Sequence, residues 1–242
     1  MKDRFKTIGI LGGIGPSASA SMYSRVISYM QSHYGAWDDN DFPKVMVYST
    51  ALEGFDESGI ADPDLVEKSL VDAAKKLESM GSDLIVVACN TVHYFDKQIE
   101  QAIGVPLVHM IDEACRDVSR RGIKKIGIVC SQSTRDLGLY SNALSSYGIE
   151  PLVCTDGEQA KINKVIMNVM AGKQGPDDIV ALDTIFKRYQ DSGAEAVILG
   201  CTEIPLAISQ KDSNLELIDA NDVVVSQAIE IAIKKTSQPE KP

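Results

Sequence analysis

The chain has 242 residues, enough for one large domain or two small ones. Hydrophobic residues make up 44% and charged residues 24%, a balance that supports a sizeable core. With 24 Lys+Arg against 34 Asp+Glu, the formal net charge of −10 argues against nucleic-acid partners and anionic membrane surfaces, because both are held by clustered cations.

Short apolar runs alternate with helical patterns in chain order. Residues 1–6 run directly into a strand at 7–11, with no signal-peptide apolar stretch. A helix is expected at 17–31, a strand at 44–49 and a helix at 63–80. Asp62 and Pro63 supply the start signal of that helix, and Gly81 its stop. The strand at 83–88 carries the longest wholly apolar run, residues 84–89, far short of the roughly 20 residues of a membrane span. Then come a helix at 92–103, a strand at 107–109 and a helix at 111–121. The second half repeats the alternation: strand 125–130, helix 134–147, strand 151–153, helices 158–170 and 176–191, strand 194–200, strand 215–218 and helix 221–235. Residues 236–242 are polar and Pro-containing, and are expected to fray. The strands are continuous apolar runs, so both faces are expected to be covered, as in α/β proteins with parallel sheets.

The halves also resemble each other. Asp83 to Thr91 reads Asp-Leu-Ile-Val-Val-Ala-Cys-Asn-Thr, and Glu195 to Glu203 reads Glu-Ala-Val-Ile-Leu-Gly-Cys-Thr-Glu. Lys6 to Leu11 likewise matches Lys125 to Val129, with Tyr23 and Tyr140 in the helices that come next. The period is far too long for a stacked repeat. It implies two similar Rossmann-like lobes related by pseudo-symmetry, with the active site in the cleft between them. The expected division is residues 1–112 plus 210–242 for the first lobe and 113–209 for the second.

Chemistry concentrates at two of the five cysteines. Cys89 and Cys201 each end an apolar strand, and Asn90-Thr91 or Thr202-Glu203 then opens a helical segment. Ligands of open α/β sheets bind at the carboxyl ends of strands. A helix N-terminus there is expected to lower a thiol's pKa and to offer N–H groups to a carboxylate. Two such thiols entering one cleft from opposite lobes suit racemisation, which needs a base on one face of a carbon and an acid on the other. Cys115 and Cys154 read as structural, and Cys130 as a wall of the cleft. The cysteines are odd in number, widely spaced and never C-x₂-C. With no export signal, they read as reduced, cytoplasmic thiols. His33, His93 and His109 show no zinc-ligand spacing with them.

The segments Gly9-Ile-Leu-Gly-Gly13-Ile-Gly15-Pro16, Asp41-Phe42-Pro43, Cys89-Asn90-Thr91-Val-His93 and Gly200-Cys201-Thr202-Glu203 together resemble the aspartate/glutamate racemase family. The resemblance spans Gly9 to Glu203. It implies two α/β lobes, a homodimer, no cofactor and no metal, and a small acidic amino acid, aspartate or glutamate, as substrate. It also implies Cys89 and Cys201 as the acid/base pair, with Cys201 deprotonating the L-enantiomer and Cys89 the D-enantiomer. Asn90, Thr91 and Thr202 are expected to hold the α-carboxylate or ammonium, with Ser131 and Thr134 lining the second lobe. Glu203 is expected to orient the ammonium or tune Cys201, Lys164 to meet the distal carboxylate, and His93 to tune Cys89 or sit as a hydrogen-bonded buried group. The family's pattern is not followed everywhere. Residues 49–54 contain no Arg or Lys where aspartate-specific members carry an arginine, Ile14 replaces a methionine, and Ala88 a proline.

Three rivals remain. Gly13-x-Gly15-x-x-Ala18 resembles a dinucleotide loop, but the second strand ends in Ser49-Thr50-Ala51, without the ribose-binding acid. A two-lobed small-molecule binding protein would need no reactive thiols. Hydantoin racemases, maleate isomerases and arylmalonate decarboxylases share the lobe architecture.

Overall fold

The structure is a computed structural model that describes residues 5–56 and 59–233. The expected fraying of 236–242 and the last two residues of the helix expected at 221–235 lie outside the described residues. The first half runs β1 (Ile8–Gly12), α1 (Pro16–Tyr34), β2 (Val45–Ser49), a small antiparallel hairpin β3 (Phe55–Asp56) and β4 (Gly59–Ile60), then α2 (Pro63–Ser79). It continues through β5 (Leu84–Val87), a 3₁₀ segment Thr91–Phe95, α3 (Asp96–Ala102), β6 (Leu107–Val108) and α4 (Met110–Arg120). The second half runs β7 (Lys125–Cys130), α5 (Gln132–Asp136), α6 (Leu139–Ser146), β8 (Glu150–Leu152), α7 (Asp156–Met170) and α8 (Pro176–Asp191). It ends with β9 (Ala196–Gly200), a 3₁₀ turn Ile204–Leu206, β10 (Glu216–Asp219) and α9 (Ala220–Ile233).

Two four-stranded parallel sheets result, ordered β2-β1-β5-β6 and β10-β9-β7-β8. The two sheets are built alike: in each, the strand leading to Cys89 or Cys201 pairs in parallel with the first strand of its half. The duplication read from two short segments therefore extends to the pairing of the central strands. Strand β10 pairs with β9, so residues 216–219 belong to the second sheet, although the sequence reading groups 210–242 with the first lobe. Chain order alone does not say which sheet a late strand joins. Helix α9 accounts for the expected return: its Val224, Val225, Ala228 and Ile229 share one buried cluster with strand residues of both sheets.

That cluster arises from strand periodicity. Successive side chains leave a strand on opposite faces. Ile8 and Ile10 of β1, Leu84 and Val86 of β5, Ile126 and Ile128 of β7 and Ile198 of β9 join helices α1, α4, α6 and α9 in the shared core. The alternate residues Ile85 and Val87 pack with α2 and α3, and Val197 and Leu199 with α7 and α8. Arg25 of α1 adds a 2.8 Å ion pair to Asp219 at the end of β10.

Local differences from the sequence reading have physical causes. The helix expected at 134–147 breaks into α5 and α6 at Gly138, which adopts φ +64°. The helical segment after Cys89 opens with a 3₁₀ stretch before α3, and the one after Cys201 is a single 3₁₀ turn around Pro205. The hairpin β3–β4 has no counterpart among the expected elements, because each of its strands has only two residues.

The interior of the second half is tight at Gly200. A Cβ there would lie 2.5 Å from the Tyr140 ring, which is fully buried. Gly200→Ala should therefore lower stability by about 1–3 kcal/mol, as overpacking of a core does. Thermal unfolding checks this, and an unchanged midpoint would show that the ring has room to move.

Candidate active site

The carboxyl ends of β1, β5, β7 and β9 meet at a cavity of about 330 Å³. The first lobe contributes the loop Gly13–Pro16, Ala51 and Leu52 after β2, Phe55 and Gly59 of the hairpin, and Cys89, Asn90 and Thr91 after β5. The second contributes Ser131 and Ser133 after β7, Ile166 and Met170 of α7, and Cys201, Thr202 and Glu203 after β9. Both cysteines thus line one cavity from opposite lobes, each just past a central strand of its sheet. Carboxyl ends of central strands are where α/β sheets bind ligands.

The electrostatics overturn one expectation. The sequence places each thiol at a helix N-terminus and predicts a lowered pKa. Burial instead pushes the Cys89 thiol up to about 12, against the lowering effect of the Val92 and Thr91 N–H groups, while Glu203 raises it further. Cys201 is pushed well above its ordinary value by burial, then by Glu203, and also by Cys89. Each cysteine is only 7% exposed, and the segment after it is a 3₁₀ turn rather than a long helix. Desolvation therefore outweighs the few N–H groups available.

Glu203 couples the two thiols. Its Oε2 accepts hydrogen bonds from the Cys201 thiol at 3.1 Å and the Thr202 hydroxyl at 2.8 Å. Its other oxygen, Oε1, lies near the Gly15 backbone. Asn90 is the polar anchor on the opposite side. Its Oδ1 accepts from the Tyr140 hydroxyl at 2.6 Å, and its buried Nδ2 has no partner. An unpaired buried donor at a cavity is costly unless a ligand satisfies it.

Thr91, Ser131 and Thr134 form a triangle of hydroxyls with sides of 3.1, 2.9 and 2.9 Å, joining the first lobe to the second. Thr134 is buried beneath the cavity and is not part of its lining. It ties the lobes together and positions Ser131, whose hydroxyl also accepts from the Thr134 N–H. Gly59 performs a second closure: at φ +119° it lies so close to the Ser133 side chain that a Cβ would collide with it.

Lys164 does not reach the site. It is exposed on α7, and the residues of that helix at the cavity are Ile166 and Met170, four positions apart on one face. Lys164 lies two positions from Ile166, roughly 200° around the helix. The expectation of an acidic substrate, which rests on the family resemblance, thereby loses the one distal-carboxylate ligand named for it. His93 is buried, with Nδ1 bonded to Asp96 at 2.8 Å and Nε2 unpartnered, and it does not line the cavity. Cys130 is likewise core rather than cleft wall, beside Cys154, whose thiol donates to Gln159. The glycine loop does approach the cavity, as expected. Phe55, Ser133, Ile166, Met170 and the support from Tyr140 escape the sequence reading. Only Ser133, inside the Ser131–Thr134 polar run, carries a visible signal.

His93, Asp96 and His109 hold donor atoms within 4.8 Å of one another, a grouping able to bind a metal ion. Those atoms are engaged with each other, and His109 also pairs with Glu100 at 2.7 Å. The hydrogen bond to Asp96 raises the His109 pKa to about 9.

A two-lobed α/β enzyme with its polar and sulfur groups gathered in one inter-lobe cavity is the class these features define. Comparison with known proteins places it more narrowly. The model of the Asp/Glu/Hydantoin racemase family matches residues 11–228, and the chain belongs to that family. It is 28% identical to the broad specificity amino-acid racemase RacX of Bacillus subtilis (strain 168), over 92% of this chain and 96% of that one. Similar solved structures include an aspartate racemase homologue from Pyrococcus horikoshii OT3, with TM-score 0.80 and 30% identity over 93% of this chain and 98% of the other. Another is the Picrophilus torridus aspartate racemase, with TM-score 0.77 and 26% identity over 98% and 96%. The protein is an isomerase of the racemase type, and the resemblance read from its motifs is borne out. Among the described residues, no helix is long and apolar enough to cross a membrane.

Because the Glu203 charge raises both thiols, Glu203→Gln should lower both pKa values and increase the thiolate fraction at any pH below them. Alkylation of Cys89 and Cys201 in the resting enzyme near pH 8.5 should accelerate by up to about tenfold, one pKa unit being tenfold in thiolate. Mass-spectrometric labelling of the two cysteine peptides checks this, and slower labelling in the variant would contradict the assignment.

Proposed function

We propose that the protein racemises an amino acid by two-base proton transfer between Cys89 and Cys201, without a cofactor. The observation that carries this reading is the pair of buried thiols lining one cavity from equivalent strand ends of opposite lobes, both under the influence of Glu203. The substrate ammonium pairs with Glu203. The α-carboxylate is held by the free Asn90 Nδ2 and by the hydroxyls of Thr91 and Ser131, with Thr202 fixing Glu203 in place. The α-carbon then lies between the two sulfurs.

The raised pKa values give each sulfur the right starting state for a donor. Binding favours the base: the ammonium offsets the Glu203 charge that adds to burial in keeping both thiols protonated, and one thiol releases its proton to solvent as the substrate enters. One thiolate takes the α-proton, the electron pair delocalises into the carboxylate, and the opposite thiol delivers a proton to the other face. Inversion leaves the protonation states of the two sulfurs exchanged, ready for the reverse direction. Family resemblance assigns Cys201 to the L-enantiomer and Cys89 to the D-enantiomer. The same resemblance supports a homodimer. A pair of catalytic thiols suits a reducing compartment, and the cytoplasm is the proposed location.

Cys89→Ala and Cys201→Ala should each reduce racemisation by at least about 10²–10⁴-fold, the usual contribution of a positioned acid or base. Because the pair acts as a unit, the double variant should be little worse than either single one. The assay is polarimetry on dialysed, EDTA-treated protein. Near-normal rates in either variant, or activity that returns only with pyridoxal phosphate or a metal, would overturn the proposal.

A further inference from the structure

Glu203 is the sole charged side chain among the described residues lining the cavity. No Lys, Arg or His is among them. Asp56, Glu57 and Ser58, next to the lining residues Phe55 and Gly59, add no cation by sequence either. An amino acid with a neutral side chain brings one ammonium and one carboxylate. The ammonium meets Glu203, and the carboxylate meets Asn90 and the hydroxyls. That uses every polar group whose role the mechanism defines.

The remaining wall is apolar. Ile14, Leu52, Phe55, Ile166 and Met170 supply its large apolar side chains. Ile14 and Leu52 are buried, and Phe55 is half-buried. A second carboxylate placed there would be desolvated without a counter-ion, and the Glu203 charge would repel it. Buried charge without a partner is strongly disfavoured, whereas a thioether or aliphatic chain gains from the same wall. Met170 lies at the last turn of α7, partly open to solvent, so the wall carries an edge over which a side chain of methionine length fits.

Resting on the racemase reading above, we infer that this site takes amino acids with neutral, apolar side chains of about leucine or methionine size, and discriminates against aspartate and glutamate.

The test compares pairs matched in size but not in charge. α-Proton exchange in D₂O is followed by NMR for leucine against aspartate and for methionine against glutamate, with alanine and lysine included. The neutral member of each pair should show kcat/KM at least about tenfold higher, because the acidic one leaves a charge unpaired in the cavity. Met170→Lys places a cation on the exposed edge of the wall. It should raise the glutamate-to-methionine ratio of kcat/KM by at least about tenfold relative to the parent. Faster exchange of aspartate and glutamate by the parent protein, abolished by Cys89→Ala, would overturn the substrate class and leave the two-thiol mechanism standing. Exchange of none of these amino acids would overturn both. Lysine turned over faster than leucine and methionine would also refute the inference, since the apolar wall offers nothing to a terminal ammonium.

Discussion

Water stabilises a thiolate far better than a protein interior does. Taking two thiols out of water at one small cavity therefore fixes much else about this molecule. Both sulfurs rest protonated, and each resists ionisation more while Glu203 carries charge. On the proposed mechanism, such a site is quiet when empty and relies on its ligand's ammonium to help generate a base. Ordinary surface cysteines would be more reactive, but they would not be restricted to the bound substrate.

Keeping the sulfurs dry and opposed is the task of the fold. Two parallel sheets share one core through α1, α4, α6 and α9, so the cysteine-bearing strands of both lobes end at the same place. The hydroxyl triangle of Thr91, Ser131 and Thr134, together with the Tyr140–Asn90 bond, fastens the lobes beside the cavity. The pseudo-symmetry holds at the two cysteines and is broken at other positions. Tyr140 is buried and supports Asn90, while Tyr23, its counterpart in the repeat, is 45% exposed. Glu203 has only Thr91 opposite it in the first copy. On the proposed reading, one lobe supplies the carboxylate for the ammonium, and the other supplies the amide for the carboxylate. An asymmetric substrate fits an almost symmetric frame.

The strands of the two sheets and the two cysteines were legible because they depend on local pattern: continuous apolar runs, and a thiol where such a run stops. The residues that shape the side-chain pocket were not. Phe55 sits in a hairpin too short to leave a periodicity, and Ile166 and Met170 look like any other members of an amphipathic helix. The family resemblance points to Lys164 as a ligand, but helical rotation carries it to the exposed side. The thiol pKa values escape for a related reason. The sequence shows which residues begin a helical turn, but not how deeply the thiol before it is buried, and burial is the larger effect here. The apolar wall of the cavity and the thiol acidity both depend on neighbours from other elements, while the proposed acid/base pair is carried by the strand ends themselves.

The central claim is that two different sulfurs handle the proton on the two faces of one carbon. Isotope bookkeeping during the first few per cent of conversion in D₂O addresses it directly. Starting from one pure enantiomer, the account predicts that the newly formed antipode carries deuterium at Cα almost completely, because its proton comes from a thiol equilibrated with solvent. The remaining starting enantiomer should stay largely protiated, because a proton removed by one sulfur is returned by that same sulfur. Product that retains the original protium, or deuterium entering both enantiomers at the same rate from the outset, would show a single base or a freely exchanging intermediate and would contradict the two-thiol account.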